Sequence, residues 1–564
     1  MGLLSALDWF VLIGTIAFIV IYGAWRTRGA TDMAAYFRGD YSLRWPTIGL
    51  SIMATQASAI TFLSTPGQAF EDGMRFVQFY FGLPLAMIVI AAVFVPIYHK
   101  LKVYTAYEYL EHRFDVRVRY LGAFLFLLQR GLAAGITIYA PSIILSTILG
   151  WPLQLTNLAL GGLVIVYTVI GGTKAVSETQ KQQMIVMLGG LAVALGLILW
   201  RLPASVSLLS AVKLAGALGR MNVIDFHLNF NSRYTFWSGL TGGFFLAMAY
   251  FGTDQSQVGR YLSGRSVTES RLGLLFNGLF KVPMQFVILF IGVMVFVFYL
   301  FVRPPIFFNA PTLAKVAAGP QAAQLAALEH RYDDAFANQR AAAESFVTAG
   351  PEARAAATDR LREAAASTAA IRGEAKTLVK TALPSADAKD ADYVFLSFVL
   401  RYVPKGLVGL LIAVILCASM SSTSSELSAL GSTTTVDLFK RLKPRPSTPR
   451  SDLIASKLFT AAWGVIAVSF ANFAGLLDNL IQAVNILGSI FYGTILGLFV
   501  VAFFVRRVTA TPVLIGAAVA QATVLVLFFT SDIGFLWYNV IGCGIVVALS
   551  SAITWLQPAR TASD

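Results

Sequence analysis

Apolar runs of about 20 residues recur along nearly the whole chain, each closed by a short polar stretch. That is the length an α-helix needs to cross a bilayer. The pattern predicts thirteen spans, near 7–26, 46–66, 74–99, 119–149, 153–171, 179–201, 235–260, 268–302, 397–437, 453–473, 478–505, 509–530 and 534–557. Only 310–393 breaks the rhythm. It is rich in Ala, Glu, Asp and Arg, which favour helix, but holds no apolar run long enough to span a bilayer. One or two surface helices are expected there. The plainest reading of the stretch is a tolerated loop insertion; a lid or a partner site is the alternative.

Composition agrees with this pattern. Of 564 residues, 57% are hydrophobic and 13% charged, and the mean hydropathy is +0.70, far from the values of soluble domains. The net charge of +14 would suit nucleic acid were it not gathered in short loops beside helix ends. With the N-terminus outside, Arg28, Arg38 and Arg44, then His99, Lys100, Lys102, Arg113 and Arg117, then Arg260, Arg265 and Arg271, the loop "KRLKPRPSTPR" (440–450) and Arg506–Arg507 all fall on the inner side. The same count puts 310–393 outside and the C-terminus in the cytoplasm. The first run has no basic residue before it and no cleavage-site pattern, so it reads as a retained helix. The expected setting is the cell's inner membrane, with the lipid bilayer and a small solute as partners and no obligate protein partner evident. Cys417 and Cys543 lie within apolar runs, without His or Cys at metal-ligand spacing, and read as structural. No Walker pattern or nucleophile–base arrangement appears, so no enzyme is expected.

One predicted span is odd. "MATQASAITFLSTPGQAF" (53–70) mixes small residues with Thr55, Gln56, Ser58 and Thr61, then runs into Ser64, Thr65, Pro66 and Gly67. Non-helical backbone at bilayer depth is tolerated where it lines a cavity or is buried in protein. Secondary transporters place such breaks at corresponding positions of two inverted repeats, with freed carbonyls holding the coupling ion. A partner segment is therefore expected, and "LCASMSSTSSELSALGSTTTVDLFK" (416–440) is the candidate. Its Ser421, Ser422, Ser424 and Ser425 cluster within about a turn and a half, and their hydroxyls suit a small hard cation.

These segments, with "YTVIGGTKAV" and "GTDQSQVGRYL", resemble the sodium/solute symporter family, whose members carry sugars, proline, sialic acid, iodide, vitamins and monocarboxylates. The resemblance covers everything but 310–393. It implies an all-α polytopic membrane protein of the LeuT-type fold, with two inverted five-helix repeats. Here they would be 46–201 and 235–505, the second interrupted by the insertion, with a leading helix in 1–30 and two closing helices in 509–557. In that family one sodium ion lies between the first and eighth repeat helices. Carried over, its ligands are the carbonyls of Ala54, Ala57 and Ala418 and the hydroxyls of Ser421 and Ser422. Some members hold a second sodium with further serines, here Ser424 and Ser425, and an aspartate whose place is taken by Gln180. A buried cation needs charge neutralisation as well as oxygen ligands, so this second site is expected to be degenerate and one sodium to move per cycle.

The solute is expected at the midplane, between the breaks of the first and sixth repeat helices. Ser58 and Thr61 match family positions that touch substrate. Arg130 lies about eleven residues into its span, roughly 16 Å deep. An arginine there is a functional hypothesis by default, and its place resembles that of the arginine gripping the substrate carboxylate in sialic acid symporters. Asp254 and Lys281 match sugar-contacting positions; a structural Lys–Asp pair would explain both equally well. Glu426 beside the serines is a candidate for balancing charge or carrying protons, and Gln78 for a further substrate contact. The combined expectation is a sodium-coupled symporter of a small organic anion, a carboxylate or sugar acid. A neutral sugar or amino acid, or a proton-coupled member of the same fold, is the alternative.

Overall fold

The computed structural model describes residues 4–26, 36–37, 42–384, 390–442, 448–473 and 480–557. Arg28, Arg38, positions 443–447 of the basic loop, 385–389 of the insertion and the tail from 558 lie outside them. Among the described residues, ten helices are long and apolar enough to cross a membrane, against the thirteen spans expected. The three that fall short do so for identifiable reasons. Span 7–26 is the helix Ala6–Arg26, of which the apolar part described is Ala6–Ile19. Spans 46–66 and 235–260 are each two helices. The first divides into Trp45–Gln56 and Ala59–Asp72, the second into Gly243–Gly252 and Gln255–Leu262.

The first break lies within the 53–70 stretch but not at its Pro66–Gly67 end. It falls at Ala57–Ser58, where the Ser58 N–H turns to the Gln56 carbonyl (3.0 Å) and so abandons the helical partner it would have had in Ala54. Pro66 and Gly67 sit inside the following helix. They serve packing instead: a Cβ on Gly67 would lie 1.9 Å from the Ala391 carbonyl, and one on Gly292 would lie 2.2 Å from that of Pro66. The serine-rich segment is not broken at all. It is one helix, Leu407–Thr433, running into a π turn at Thr434–Phe439. Its hydroxyls bond back to carbonyls of their own helix, Ser421 to Ala418 (2.9 Å) and Ser425 to Ser421 (3.0 Å), and so stay satisfied without disrupting it. The expected start of that span at 397 also moves, because Ala391–Tyr402 is a separate helix. The second break is at Thr253–Asp254, and Asp254 caps the half-helix that follows by accepting from the Ser256 N–H at 2.9 Å.

Spans 153–171 and 179–201 are two helices, Leu153–Gly172 and Val176–Arg201, that meet at a kink where Gly172 is non-helical (φ 63°). The left-handed φ favours glycine, and a Cβ there would meet the Tyr36 ring at 2.8 Å. The insertion is more ordered than a surface loop. Ala322–Thr348 and Arg354–Ala382 form a long helical hairpin preceded by Ala310–Ala317. Its own apolar core includes Phe307, Leu325, Tyr332, Ile371 and Val379. Buried Asp390 ties it to the rest of the chain, accepting from the Phe308 N–H at 2.7 Å and pairing with Arg372 (3.0 Å) and Lys376 (2.9 Å).

Candidate functional site

The break at Ala57–Ser58 frees carbonyls, and the serine-rich helix supplies hydroxyls to meet them. The Ser421 Oγ donates to the Ala54 carbonyl at 2.8 Å and to that of Ala418 at 2.9 Å. The Ser422 Oγ donates to the Thr55 carbonyl at 2.9 Å and lies 3.5 Å from that of Ala54. Four of the five oxygens expected around a sodium ion, those of Ala54, Ala418, Ser421 and Ser422, therefore converge. The fifth, of Ala57, belongs to the residue where the helix stops. All are uncharged oxygens, a donor set suited to a hard monovalent cation. Among the described residues no group of three His, Cys, Asp or Glu side chains could hold a metal ion.

Gln180 occupies the neighbouring position in a definite way. Its Oε1 accepts from Ser51 (2.5 Å), while its Nε2 donates to the Ser421 carbonyl (2.7 Å), the Ser425 hydroxyl (2.7 Å) and the Thr55 hydroxyl (3.2 Å). The amide hydrogens thus point at acceptor oxygens that would otherwise face a cation. Ser424 stands aside, bonded to the Ser421 carbonyl at 3.1 Å. Ser51, one turn before Thr55 on the first half-helix, was missed in the sequence; the i,i+4 spacing of the two was the available signal.

The second break brings Asp254 to Arg130. The Arg130 Nε donates to Asp254 Oδ2 at 3.0 Å, one Nη donates to the same carboxylate and to the Tyr492 hydroxyl, and the other donates to Glu426 Oε1 at 3.1 Å. The Tyr492 hydroxyl donates to Asp254 at 2.8 Å, and the guanidinium stacks over the Tyr250 ring at 5.3 Å. Arg130 is thus neither a snorkelling side chain nor an open carboxylate clamp. It is buried between two carboxylates in a cluster of formal charge −1 when all three groups are ionised. Glu426 Oε2 is buried with no hydrogen-bond partner.

A cavity of about 90 Å³ lies beside this cluster, walled by Ser58, Thr61, Arg130, Glu426, Tyr250 and Tyr492 among others. Since one water needs about 10–15 Å³ on this measure, there is room for a solute of roughly six to nine non-hydrogen atoms. Gln129 and Gln56 also line it, each with an unpartnered Oε1. Four sequence expectations thus meet in one place: Ser58, Thr61, Arg130 and Glu426. Asp254 stands behind Arg130, outside the lining. Lys281 does not pair with Asp254: its Nζ is buried without a hydrogen-bond partner, 5.9 Å from the centre of the Tyr80 ring, and does not line the cavity. Gln78 is a loop clamp, donating to the carbonyls of Arg75 (3.3 Å) and Tyr234 (3.2 Å) and accepting from the Asp225 N–H (2.9 Å). Tyr492 and Tyr250 were missed because an aromatic within an apolar span carries no polar pattern to mark it.

Two half-helices opposite a hydroxyl-rich helix, with an oxygen cage beside a polar cavity, define a membrane carrier. The sodium:solute symporter family description matches residues 36–328 and 369–520, and the chain belongs to that family. The human sodium/iodide cotransporter is 35% identical over 276 residues, covering 48% of this chain and 41% of its own. The sodium-coupled monocarboxylate transporter 1 of Xenopus laevis is 32% identical over 271 residues, covering 46% of this chain and 42% of its own. The chain thus spans about two-fifths of the length of these curated relatives. A solved sodium-coupled sialic acid symporter, in a substrate-bound outward-open state, superposes with a TM-score of 0.76 at 22% identity over 98% of both chains. That likeness shows the fold.

Proposed function

We propose that the chain is a symporter that imports a small organic anion together with one sodium ion per cycle, across the inner membrane with its N-terminus outside. The observation that carries the sodium half is the convergence of the Ser421 and Ser422 hydroxyls on the Ala54 and Ala418 carbonyls. Sodium would sit among these oxygens and that of Ala57, replacing the hydroxyl-to-carbonyl bonds with shared coordination. The Gln180 amide supports a count of one, because it already donates into the space a second cation would need. The ion would pin the broken helix against the serine-rich one and so order Ser58 and Thr61 beside it. By linkage, solute tightens sodium binding by the factor that sodium tightens solute binding. An inward sodium step gains about 2.3 kcal/mol per 100 mV.

For the solute, both relatives named above carry anions, and Arg130 lines the cavity. A carboxylate would take the Nη now held by Glu426 alone. The second reading, a neutral hydroxyl-bearing solute, is favoured by the cluster's formal charge of −1 and the unpartnered oxygens of Glu426, Gln129 and Gln56. Charge movement separates the two. In proteoliposomes loaded with potassium, a valinomycin-imposed inside-negative potential accelerates sodium-driven uptake of a neutral solute. It leaves electroneutral uptake of a monoanion unchanged. Uptake of short monocarboxylates and of three- or four-carbon neutral sugars, each with sodium or choline outside, is the direct test. Uptake that is indifferent to sodium and rises as external pH falls would replace the sodium reading with proton coupling.

A further inference from the structure

A cavity of about 640 Å³ lies between the inserted hairpin and the body of the carrier. One wall is the end of the first broken helix (Phe70, Glu71) with Phe296 and Leu300; another is the hairpin's Arg354–Ala382 helix. The family match skips 329–368, most of the hairpin's length, including Arg362 and Thr368 of this wall. Glu71 and Thr61 lie on the same half-helix, roughly 15 Å apart at 1.5 Å per residue, so one rigid element borders both cavities.

The charges of this cavity do not balance. Arg220, Arg362, Arg372 and Lys376 line it, with Glu71 as its single lining carboxylate. Arg372 and Lys376 are neutralised by Asp390, and Lys376 also by Glu71 at 2.8 Å. Arg362 donates its Nε to the Ala217 carbonyl (2.9 Å), and its nearest carboxylate, exposed Asp359, is 3.9 Å away. Arg220 forms no ion pair among the described residues. Its Nε is buried without a partner, and its guanidinium lies 4.8 Å over the Phe296 ring. Burial holds its pKa below the ordinary value, against the pull of Asp72 and Glu71, with Arg372 adding to the depression. The buried Tyr332 hydroxyl, from the other hairpin helix, also lines the cavity without a partner. A buried N–H and a buried hydroxyl left without partners are costly, and an anion in the cavity would relieve either one.

We propose that this cavity is a second binding site, for an organic carboxylate, held between Arg220 and Arg362 with its apolar body against Phe70 and Phe296. Bidentate geometry suits the guanidinium, and the aromatic wall prefers a carboxylate with a hydrocarbon part over a bare inorganic anion. The site owes nothing to the sodium oxygens, so it binds without sodium, and the inference stands whichever solute the central cavity takes.

The test is binding of benzoate, with sulfate as the second probe, to the purified full chain in detergent with potassium replacing sodium. Titration calorimetry and the thermal midpoint are the readouts. Saturable benzoate binding is expected, weakened at least tenfold in Arg220→Gln and in Arg362→Gln and unchanged in Thr61→Val, which alters only the central cavity. Arg362 is largely exposed, so its variant tests the site without endangering the fold. Absence of saturable benzoate binding overturns the proposal. So does binding that survives both arginine variants, or that is lost in Thr61→Val instead. Sulfate binding as tightly as benzoate overturns the organic-carboxylate assignment. Sodium binding to the same samples reports separately on the symporter reading.

Discussion

Gln180→Glu is the substitution that tests most sharply how the ion sites are counted. The two side chains have nearly the same shape, so packing is preserved. In the native protein the Nε2 hydrogens satisfy the Ser421 carbonyl and the Ser425 hydroxyl, each at 2.7 Å. In the variant an oxygen stands there. The Ser425 and Thr55 hydroxyls can turn to donate, but the Ser421 carbonyl cannot, and a charge now sits fully buried. Breaking the balance of a buried charged site costs about 3–5 kcal/mol. A cation entering between the carboxylate and the Ser421 carbonyl removes that cost and finds the oxygen-rich shell it needs.

The variant should therefore be markedly less stable than wild type in choline and should recover in sodium. At 100 times its dissociation constant, sodium restores about 2.7 kcal/mol through this site alone. The assay is equilibrium binding of radiolabelled sodium to purified protein, with the thermal midpoint followed against sodium concentration. Saturation should rise from one ion per chain to two, and the sodium dependence of the midpoint should steepen. If the variant still saturates at one ion and is equally destabilised in choline and sodium, Gln180 does not stand where a second cation would bind. The inference of a single coupling ion would then lose its structural support.

Three further outcomes follow from individual contacts. Ser421→Ala removes one ligand and the bond to the Ala54 carbonyl, and should weaken sodium binding about tenfold or more, at least 1.4 kcal/mol, in the same assay. Asp254→Asn disturbs a carboxylate that accepts from Arg130, Tyr492 and Ser256 and should cost about 3–5 kcal/mol. Glu426→Gln, losing an oxygen that has no partner, should cost less than about 1 kcal/mol; comparison of thermal midpoints decides. The Asp390 carboxyl lies outside the membrane. Burial raises its pKa, but Arg372 and Lys376 outweigh this and hold it below the ordinary 3.8. Its contribution to hairpin docking is therefore complete above about pH 4 and lost as pH falls through the depressed value. An acid-active protease should cut the hairpin faster only below that point, and Asp390→Asn should remove the step.

What could be read from the sequence, and what could not, divides along physical lines. Long apolar runs report the number and order of membrane helices because each must satisfy its backbone internally. The all-helical membrane architecture and the clustered serines were therefore legible, but not every end: the span expected from 397 begins at Leu407. The positions of the breaks were not. Pro66 and Gly67 look like helix breakers, yet the neighbouring Ala391–Tyr402 and Val267–Phe301 helices make them a contact surface. Ala57 and Ser58, where the chain does break, lie among the small and polar residues of that stretch, which does not say at which of them the helix stops.

Arg130 shows the same limit from the other side. Its depth in a span announces a buried charge but not which partner neutralises it. Three carboxylates or hydroxyls from three distant segments, Asp254, Glu426 and Tyr492, converge on it only through the fold. That convergence changes the chemistry expected of the site. A free guanidinium would bind a carboxylate solute outright, whereas this one must first part from Glu426, its single-bonded partner at 3.1 Å. Glu426 in turn has one oxygen free to take a hydrogen bond from the solute itself. On the proposed reading, solute selection would rest on an exchange of partners within the cavity, with the acid at 426 setting its terms as much as the arginine at 130. A Gln at 426 would take the formal charge of the cluster from −1 to 0 and shift preference toward anions. Measured as the ratio of short monocarboxylate to short neutral sugar binding, that shift should be upward in Glu426→Gln. A ratio unchanged or lowered would place recognition elsewhere on the cavity wall.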